Sequence, residues 1–269
     1  METTLKQIDI GEGRRIGYRE QGQGGAVLLL HGVGSGSLSY TEQLAGLSDS
    51  YRVIAWDAPG YGGSDDAPPN VHHASDFADD AARLLDALHI DTAHIVGHSM
   101  GGLIAAALIQ RHAHRVDRVV LSSCASGYAT RSETEREERL RARVDLIREH
   151  GAEGLAQLRG PGNCAETTDQ ATVDRVIDIM ARVRAPGYIT GATLLDSSDV
   201  FAHLRAWPKP APKTLVMVGA HDRTTPPPGC RRIAHCISGS IYKELMHSAH
   251  AGYLEQPAEF NQLVREHLS

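Results

Sequence analysis

The chain has 269 residues, 41% hydrophobic and 22% charged, with a formal net charge of −6. That apolar content can fill a core and excludes global disorder, and the length suits one large α/β domain or a core with one insertion. Basic residues interleaved with acids exclude a nucleic-acid footprint. No apolar run reaches the roughly 18 residues that a membrane helix needs. Met1-Glu2-Thr3-Thr4-Leu5-Lys6 lacks the regions of a signal peptide, so the expectation is a soluble, cytoplasmic protein.

Strand-like runs at 15–21 and 26–30 come first, the second almost continuously apolar, as a buried parallel strand should be. A helical pattern at 40–47, a strand at 51–56, a helix at 76–88 and a strand at 92–96 follow. The chain continues with a helix at 101–112 and a strand at 116–122. Between 124 and 196 the strand pattern stops. Residues 131–150 are dense in charge, with Glu135/Arg139 and Glu137/Arg141 at helical spacing over a stripe of Leu140, Val144 and Ile147. Arg159-Gly160-Pro161-Gly162-Asn163 reads as a turn, and Val173, Val176, Ile177, Met180 and Val183 repeat the stripe on a second helix. Strands at 214–218 and 241–245, a helix at 228–236 and a closing helix at 257–267 with Pro257 in its first turn complete the chain. The alternation predicts a mostly parallel sheet with helices on both faces. Its core comprises 1–123 and 197–269, and 124–196 forms a helical cap over the carboxyl edge, where ligands bind in open α/β sheets.

Gly97-His98-Ser99-Met100-Gly101 lies between a strand and a helix. G-x-S-x-G in that setting is the pattern of a nucleophile elbow, a sharp turn whose flanking glycines let strand and helix pack closely. Serine needs a base to accept its proton, and the base needs a carboxylate to fix its tautomer. Asp222 follows the strand at 214–218 in the loop Gly219-Ala220-His221-Asp222-Arg223-Thr224-Thr225, and His250 follows the last strand. The order Ser99, Asp222, His250 suits a catalytic triad. His247 and His221 compete with His250, while Asp57 and Asp65 precede the serine and fit the order poorly. For the oxyanion hole the backbone N–H groups of Met100 and Val33 are the candidates, with Gly34 behind Val33. The glycine-rich turn His31-Gly32-Val33-Gly34-Ser35-Gly36 has neither a dinucleotide fingerprint nor a Walker lysine, so no nucleotide cofactor is expected.

No metal is expected either: the histidine groups His72-His73, His112/His114 and His247/His250 match no zinc spacing. Cys124, Cys164, Cys230 and Cys236 read as free thiols. The expected partner is a small molecule, and the oligomeric state is open. Arg131, Arg139, Arg143, Arg182 and Arg184 are candidate partners for a carboxylate on the substrate, unranked at this level.

His31-Gly32, Asp57-Ala58-Pro59-Gly60-Tyr61-Gly62-Gly63-Ser64, Gly97–Gly101, Gly219–Asp222 and His250 resemble the motif set of the α/β-hydrolase superfamily. The resemblance implies an eight-stranded, mostly parallel sheet with a helical cap. It also implies catalytic roles for Ser99, Asp222 and His250, and oxyanion roles for Val33 and Met100. Asp57–Ser64 would brace the catalytic edge. His221-Asp222-Arg223-Thr224-Thr225-Pro226-Pro227, 249–257 and, more weakly, Ala185-Pro186-Gly187-Tyr188 are most similar to 3-oxoadipate enol-lactonase-type hydrolases. Gly97-His98-Ser99-Met100-Gly101-Gly102 is closer to the carbon–carbon bond hydrolases of meta-cleavage pathways, which follow the catalytic histidine with Trp where this chain has Ala251. The expectation is therefore a cofactor-independent hydrolase of an ester or lactone, in the setting of aromatic-compound catabolism. A carbon–carbon or amide hydrolase with the same triad is the alternative, and a non-catalytic ligand receptor is the reading from another class.

Overall fold

The computed structural model describes residues 3–69 and 71–269; Met1 and Glu2 of the N-terminal segment read above lie outside the described residues. Eight strands form one sheet in the order β1-β2-β4-β3-β5-β6-β7-β8. They are β1 Lys6–Asp9, β2 Arg15–Gln21, β3 Gly25–Leu30, β4 Tyr51–Trp56, β5 Ala93–His98, β6 Val116–Ser122, β7 Lys213–Gly219 and β8 Ile241–Leu245. β1 and β2 run antiparallel at one edge, and β4, β3, β5, β6, β7 and β8 are parallel.

Period-two alternation divides the core between the two faces of the sheet. Leu28, Leu30, Ile54, Trp56, Ile95, Val119 and Leu121 pack with Phe77, Leu84 and Leu85 of α2 (Ala74–Ala87) and the apolar α3 (Met100–His112). Val27, Leu29, Val53, Ala55, Val96 and Val120 face the other way, against α1 (Thr41–Leu47) and, from the chain's end, Phe260 and Val264. Each of these strands is therefore covered on both sides, which is why its sequence reads as a nearly unbroken apolar run.

After β6 come α4 (Glu133–Arg159), α5 (Gln170–Ala181), α6 (Ala185–Ser197) and α7 (Val200–Arg205). α8 (Pro227–His235) follows β7, and α9 (Gly252–Glu255) and α10 (Pro257–Leu268) close the chain. α4 is two helical segments meeting at a break at Gly151, whose φ of 63° and ψ of −174° lie outside the helical region, so the predicted end at 150 falls at the break. The sequence pattern missed β1, α6, α7 and the single-turn α9. β1 (Lys-Gln-Ile-Asp) is a short, mostly exposed edge strand with no apolar run to announce it. α6 is apolar on most sides, and its Pro186-Gly187 start reads as a connector although proline at a first turn is compatible with a helix. α7 is only six residues long, nucleated by Asp199, which accepts from the Phe201 and Ala202 amides.

A very close backbone contact joins α3 to the ends of β3 and β5. A methyl group on Gly101 would sit 2.0 Å from the Leu30 carbonyl oxygen, and one on Gly97 2.4 Å from the Gly101 carbonyl oxygen. Since neither neighbour is a movable side chain, Gly101→Ala should destabilise the protein by about 3 kcal/mol through overpacking. A urea-unfolding midpoint within error of the parent would contradict this.

Candidate active site

The strand ends at the carboxyl edge carry the chemistry. Ser99 sits between β5 and α3 at φ 53° and ψ −114°, a backbone conformation that non-glycine residues seldom adopt. Two hydrogen bonds hold it there: its amide donates to the Ser122 carbonyl (2.9 Å), and its carbonyl accepts from the Ala125 amide (3.0 Å). The Gly32 turn after β3 lies directly against it, a Cβ there falling 3.1 Å from Ser99 Cβ. Ser99 and His250 line one cavity of about 100 Å³ together with Val33, Tyr128 and Arg143.

Asp222, 2% exposed, lies in the loop between β7 and α8 and contacts His250 Nδ1 through Oδ2 at 2.8 Å. Its Oδ1 accepts from the Thr224 and Thr225 amides, each at 2.8 Å, and the Thr225 hydroxyl lies 2.9 Å from Oδ2. Burial opposes ionisation, but the facing His250 and the hydrogen bonds from Thr225 and Ser123 outweigh it, drawing the carboxyl down to about 2. An ionised carboxylate at Nδ1 stabilises the tautomer with its proton there, leaving the Nε2 lone pair free to accept one.

Val33 and Met100 flank Ser99. Met100 is the first residue of α3, where an amide has no intrahelical acceptor. Among the described residues none accepts from the Val33 amide, whose own carbonyl receives the Tyr61 hydroxyl at 3.1 Å. The turn is braced from behind: His31 Nε2 accepts from the Ala58 amide (2.9 Å), and burial keeps this imidazole on the neutral side. Asp57 accepts from the Ser37 and Gly63 amides, and Asp65 pairs with Arg15, so both acids are engaged away from His250. His221 and His247 are exposed and do not line the cavity.

The structure also ranks the five arginines. Arg131 pairs with Glu135, Arg182 with Asp178 and Arg184 with Asp66, while Arg139 lies 3.9 Å from Glu135. Arg143 lines the cavity and has a neutral partner, the Tyr128 hydroxyl at 3.3 Å. The three guanidiniums of Arg131, Arg139 and Arg143 gather within 5.2–6.0 Å of the Tyr128 ring centre. Arg159 also reaches the cavity, and among the described residues no Asp or Glu lines it.

His98, read from sequence as part of the elbow motif, packs its ring 4.7 Å from that of His250 and 4.8 Å from Tyr253. Burial, reinforced by the neighbouring His250, pushes it well below the usual histidine range, so it adds no charge to the site. Among the described residues no three His, Cys, Asp or Glu side chains gather in a way that could hold a metal ion, and no helix is long and apolar enough to cross a membrane. All four cysteines are free, with Cys124 and Cys230 buried.

Comparison with known proteins agrees with this architecture. The sequence profile of the alpha/beta hydrolase fold family matches residues 25–257. The chain is 27% identical to 3-oxoadipate enol-lactonase 2 of Acinetobacter baylyi over 245 residues, covering 89% of this chain and 86% of that one. The crystal structure of the enol-lactonase from Burkholderia xenovorans LB400 superposes with a TM-score of 0.86 at 26% identity, covering 97% of this chain and 99% of that chain. The meta-cleavage product hydrolase CumD of Pseudomonas fluorescens IP01, solved as a mutant complexed with acetates, gives 0.75 at 25% identity over 99% and 98%. The chain belongs to the α/β-hydrolase family and is an enzyme of that class, with lactonases and carbon–carbon bond hydrolases among its relatives.

The low Asp222 pKa makes a stability prediction. A carboxyl held at about 2 when folded, against roughly 4 when unfolded, contributes stability above pH 4 that is lost as pH falls through 2. Asp222→Asn removes this dependence, so between pH 5 and pH 2 the parent should lose about 2 kcal/mol more than the variant by urea unfolding. Parallel losses in both proteins would refute the linkage.

Proposed function

We propose that this α/β-hydrolase cleaves a carboxylic ester or lactone through an acyl-enzyme on Ser99. The observation that carries the reading is the short Asp222–His250 contact at the wall of the cavity into which Ser99 opens. His250 Nε2 takes the Ser99 proton as Oγ attacks the carbonyl carbon, and Asp222 steadies the imidazolium that forms. The Val33 and Met100 amides hold the developing oxyanion, and His250 returns its proton to the leaving alkoxide. In a lactone that alkoxide stays attached to the acyl group. Water, deprotonated by His250, then attacks the acyl-enzyme and frees Ser99. Residues 124–196 act as the cap, with side chains of α4, α5 and α6 supplying the wall opposite the strand ends.

The substrate of this reading carries a carboxylate. Arg143 supports that choice: it stands at the cavity with a phenol for a partner, in a wall that has a second arginine and, among the described residues, no acid. An anionic substrate group would complete its pairing through charge-assisted hydrogen bonds. A second reading, hydrolysis of a carbon–carbon bond, is favoured by the Gly97–Gly102 sequence and by the likeness to the meta-cleavage product hydrolase. Product analysis with an enol-lactone and with a ring-fission diketo acid separates the two.

Ser99→Ala and His250→Ala should each lower kcat/KM for a short aryl ester by about 10⁴-fold, and Ser99→Ala should abolish labelling by a fluorophosphonate. Undiminished turnover by Ser99→Ala would sink the assignment. Arg143→Gln should raise KM for a carboxylate-bearing ester about 10- to 100-fold, leaving a neutral ester of the same size within about threefold. Equal effects on both esters would remove Arg143 from substrate recognition.

A further inference from the structure

The amides of both residues that flank His250 are tied to a single turn of the helical segment, the one joining α4 to α5, one directly and one through Glu255. On the upstream side, the Ala249 amide donates to Glu255 Oε2 at 2.8 Å. The other oxygen of that carboxylate accepts from the Ala165 amide at 2.7 Å and the Thr168 hydroxyl at 2.6 Å, both in the α4–α5 turn. On the downstream side, the Ala251 amide donates to the Asn163 carbonyl in the same turn at 2.9 Å. The loop carrying Asp222 reaches it as well, through the Thr224 hydroxyl to Asn163 Oδ1 at 3.5 Å and the exposed Arg223–Glu166 ion pair.

We propose that Glu255 is a positioning residue for the reaction: its carboxylate latches the α4–α5 turn to the backbone of the His250 loop, so that the cavity wall and the base keep one register. This rests on the function proposed above. The turn is continuous with the wall, since Asn163 within it, Arg159 before it and Val176 and Ile179 after it line the cavity. A shift of the wall by an ångström therefore pulls on Ala249 and Ala251 and tilts the imidazole between them. Misplacement of that size costs an enzyme about 100-fold in rate.

The residue type fits the task. A carboxylate is acceptor-only, so one group can receive donors from both sides at once. Three donors converge on Glu255, and among the described residues no cation pairs with it. Glutamine would keep the shape, but its NH₂ would meet either the Ala249 N–H or the Ala165/Thr168 pair, donor against donor. The position of Glu255 at the end of α9, the single turn after His250, lets the side chain reach back over the loop it secures.

The test uses the intact protein with Glu255→Ala, Glu255→Gln and Thr168→Val, each titrated with a fluorophosphonate so that kcat is expressed per reactive Ser99. Glu255→Ala and Glu255→Gln should lower kcat per labelled site about 10- to 100-fold with KM for the aryl ester within about threefold, and Thr168→Val should lower kcat about threefold. In Glu255→Gln, amide exchange at Ala249 and Ala165 should quicken together. A merely structural glutamate would lower the labelled fraction and Tm but leave kcat per labelled site within twofold, and that result overturns the latch. Exchange that quickens at Ala165 alone also overturns it. If Glu255→Ala gives no folded protein, unchanged kcat per labelled site in the other two variants decides against the proposal. The exchange readout needs no turnover, so a parent protein that fails to label would sink the acyl-enzyme reading without being mistaken for failure of the latch.

Discussion

The site depends on how closely two backbones approach. α3 meets the ends of β3 and β5 at distances that leave no room for a Cβ at Gly97 or Gly101, and the turn between strand and helix must therefore be sharp. Ser99 takes the left-handed φ that such a turn demands, at a conformational cost on the order of 1–3 kcal/mol. Ser122, Ala125 and the buried α3 hold it there. The same geometry delivers three things at once: a serine hydroxyl at the rim of the sheet, an amide without an intrahelical acceptor at the first position of α3, and the Gly32 turn pressed against the serine.

Around that turn, charge is distributed unevenly. A buried carboxylate is costly unless it is well paired, and Asp222 is paired on both oxygens, by the two backbone amides and by His250. His98, in contact with the His250 ring, is kept neutral by its burial. A second positive charge there would compete with the imidazolium for the same carboxylate. Elsewhere in the cavity wall the charge is positive, from Arg143 beside the Tyr128 ring and from Arg159, in a chain whose net charge is −6. The cavity thus has an anion buried behind His250 and two arginines in its lining, a polarity that supports the anionic substrate proposed above.

Local signals made much of this legible in the sequence. The inner parallel strands are covered on both faces, so their apolar runs are nearly continuous; the bounds of β4 and β6 among them match the sequence reading to the residue, as do those of antiparallel β2 and the exposed edge strand β8. The elbow and the Ser, Asp, His order are written in glycines and strand ends. What escaped was either short or relational. β1 has one half-buried residue in four, and α7 has six residues in all. Five arginines look alike in one dimension, and Arg143 separates from the rest only when neighbours supply carboxylates to Arg131, Arg182 and Arg184. Glu255 is likewise silent in sequence, because its three donors come from a turn some ninety residues upstream and from the loop just before it.

The strand order also has a consequence for biosynthesis. Ser99 leaves β5 near the middle of the sheet, whereas Asp222 and His250 follow β7 and β8, which occupy one edge and are the last strands in the chain. A ribosome releases Ser99 long before Asp222 and His250. Until β8 has docked beside β7, a nascent chain holds a serine on a sharp turn with nothing to deprotonate it, and parallel pairings between distant segments are slow to form. In the proposed reaction, Ser99 therefore gains its base only once the last two strands of the sheet are in place.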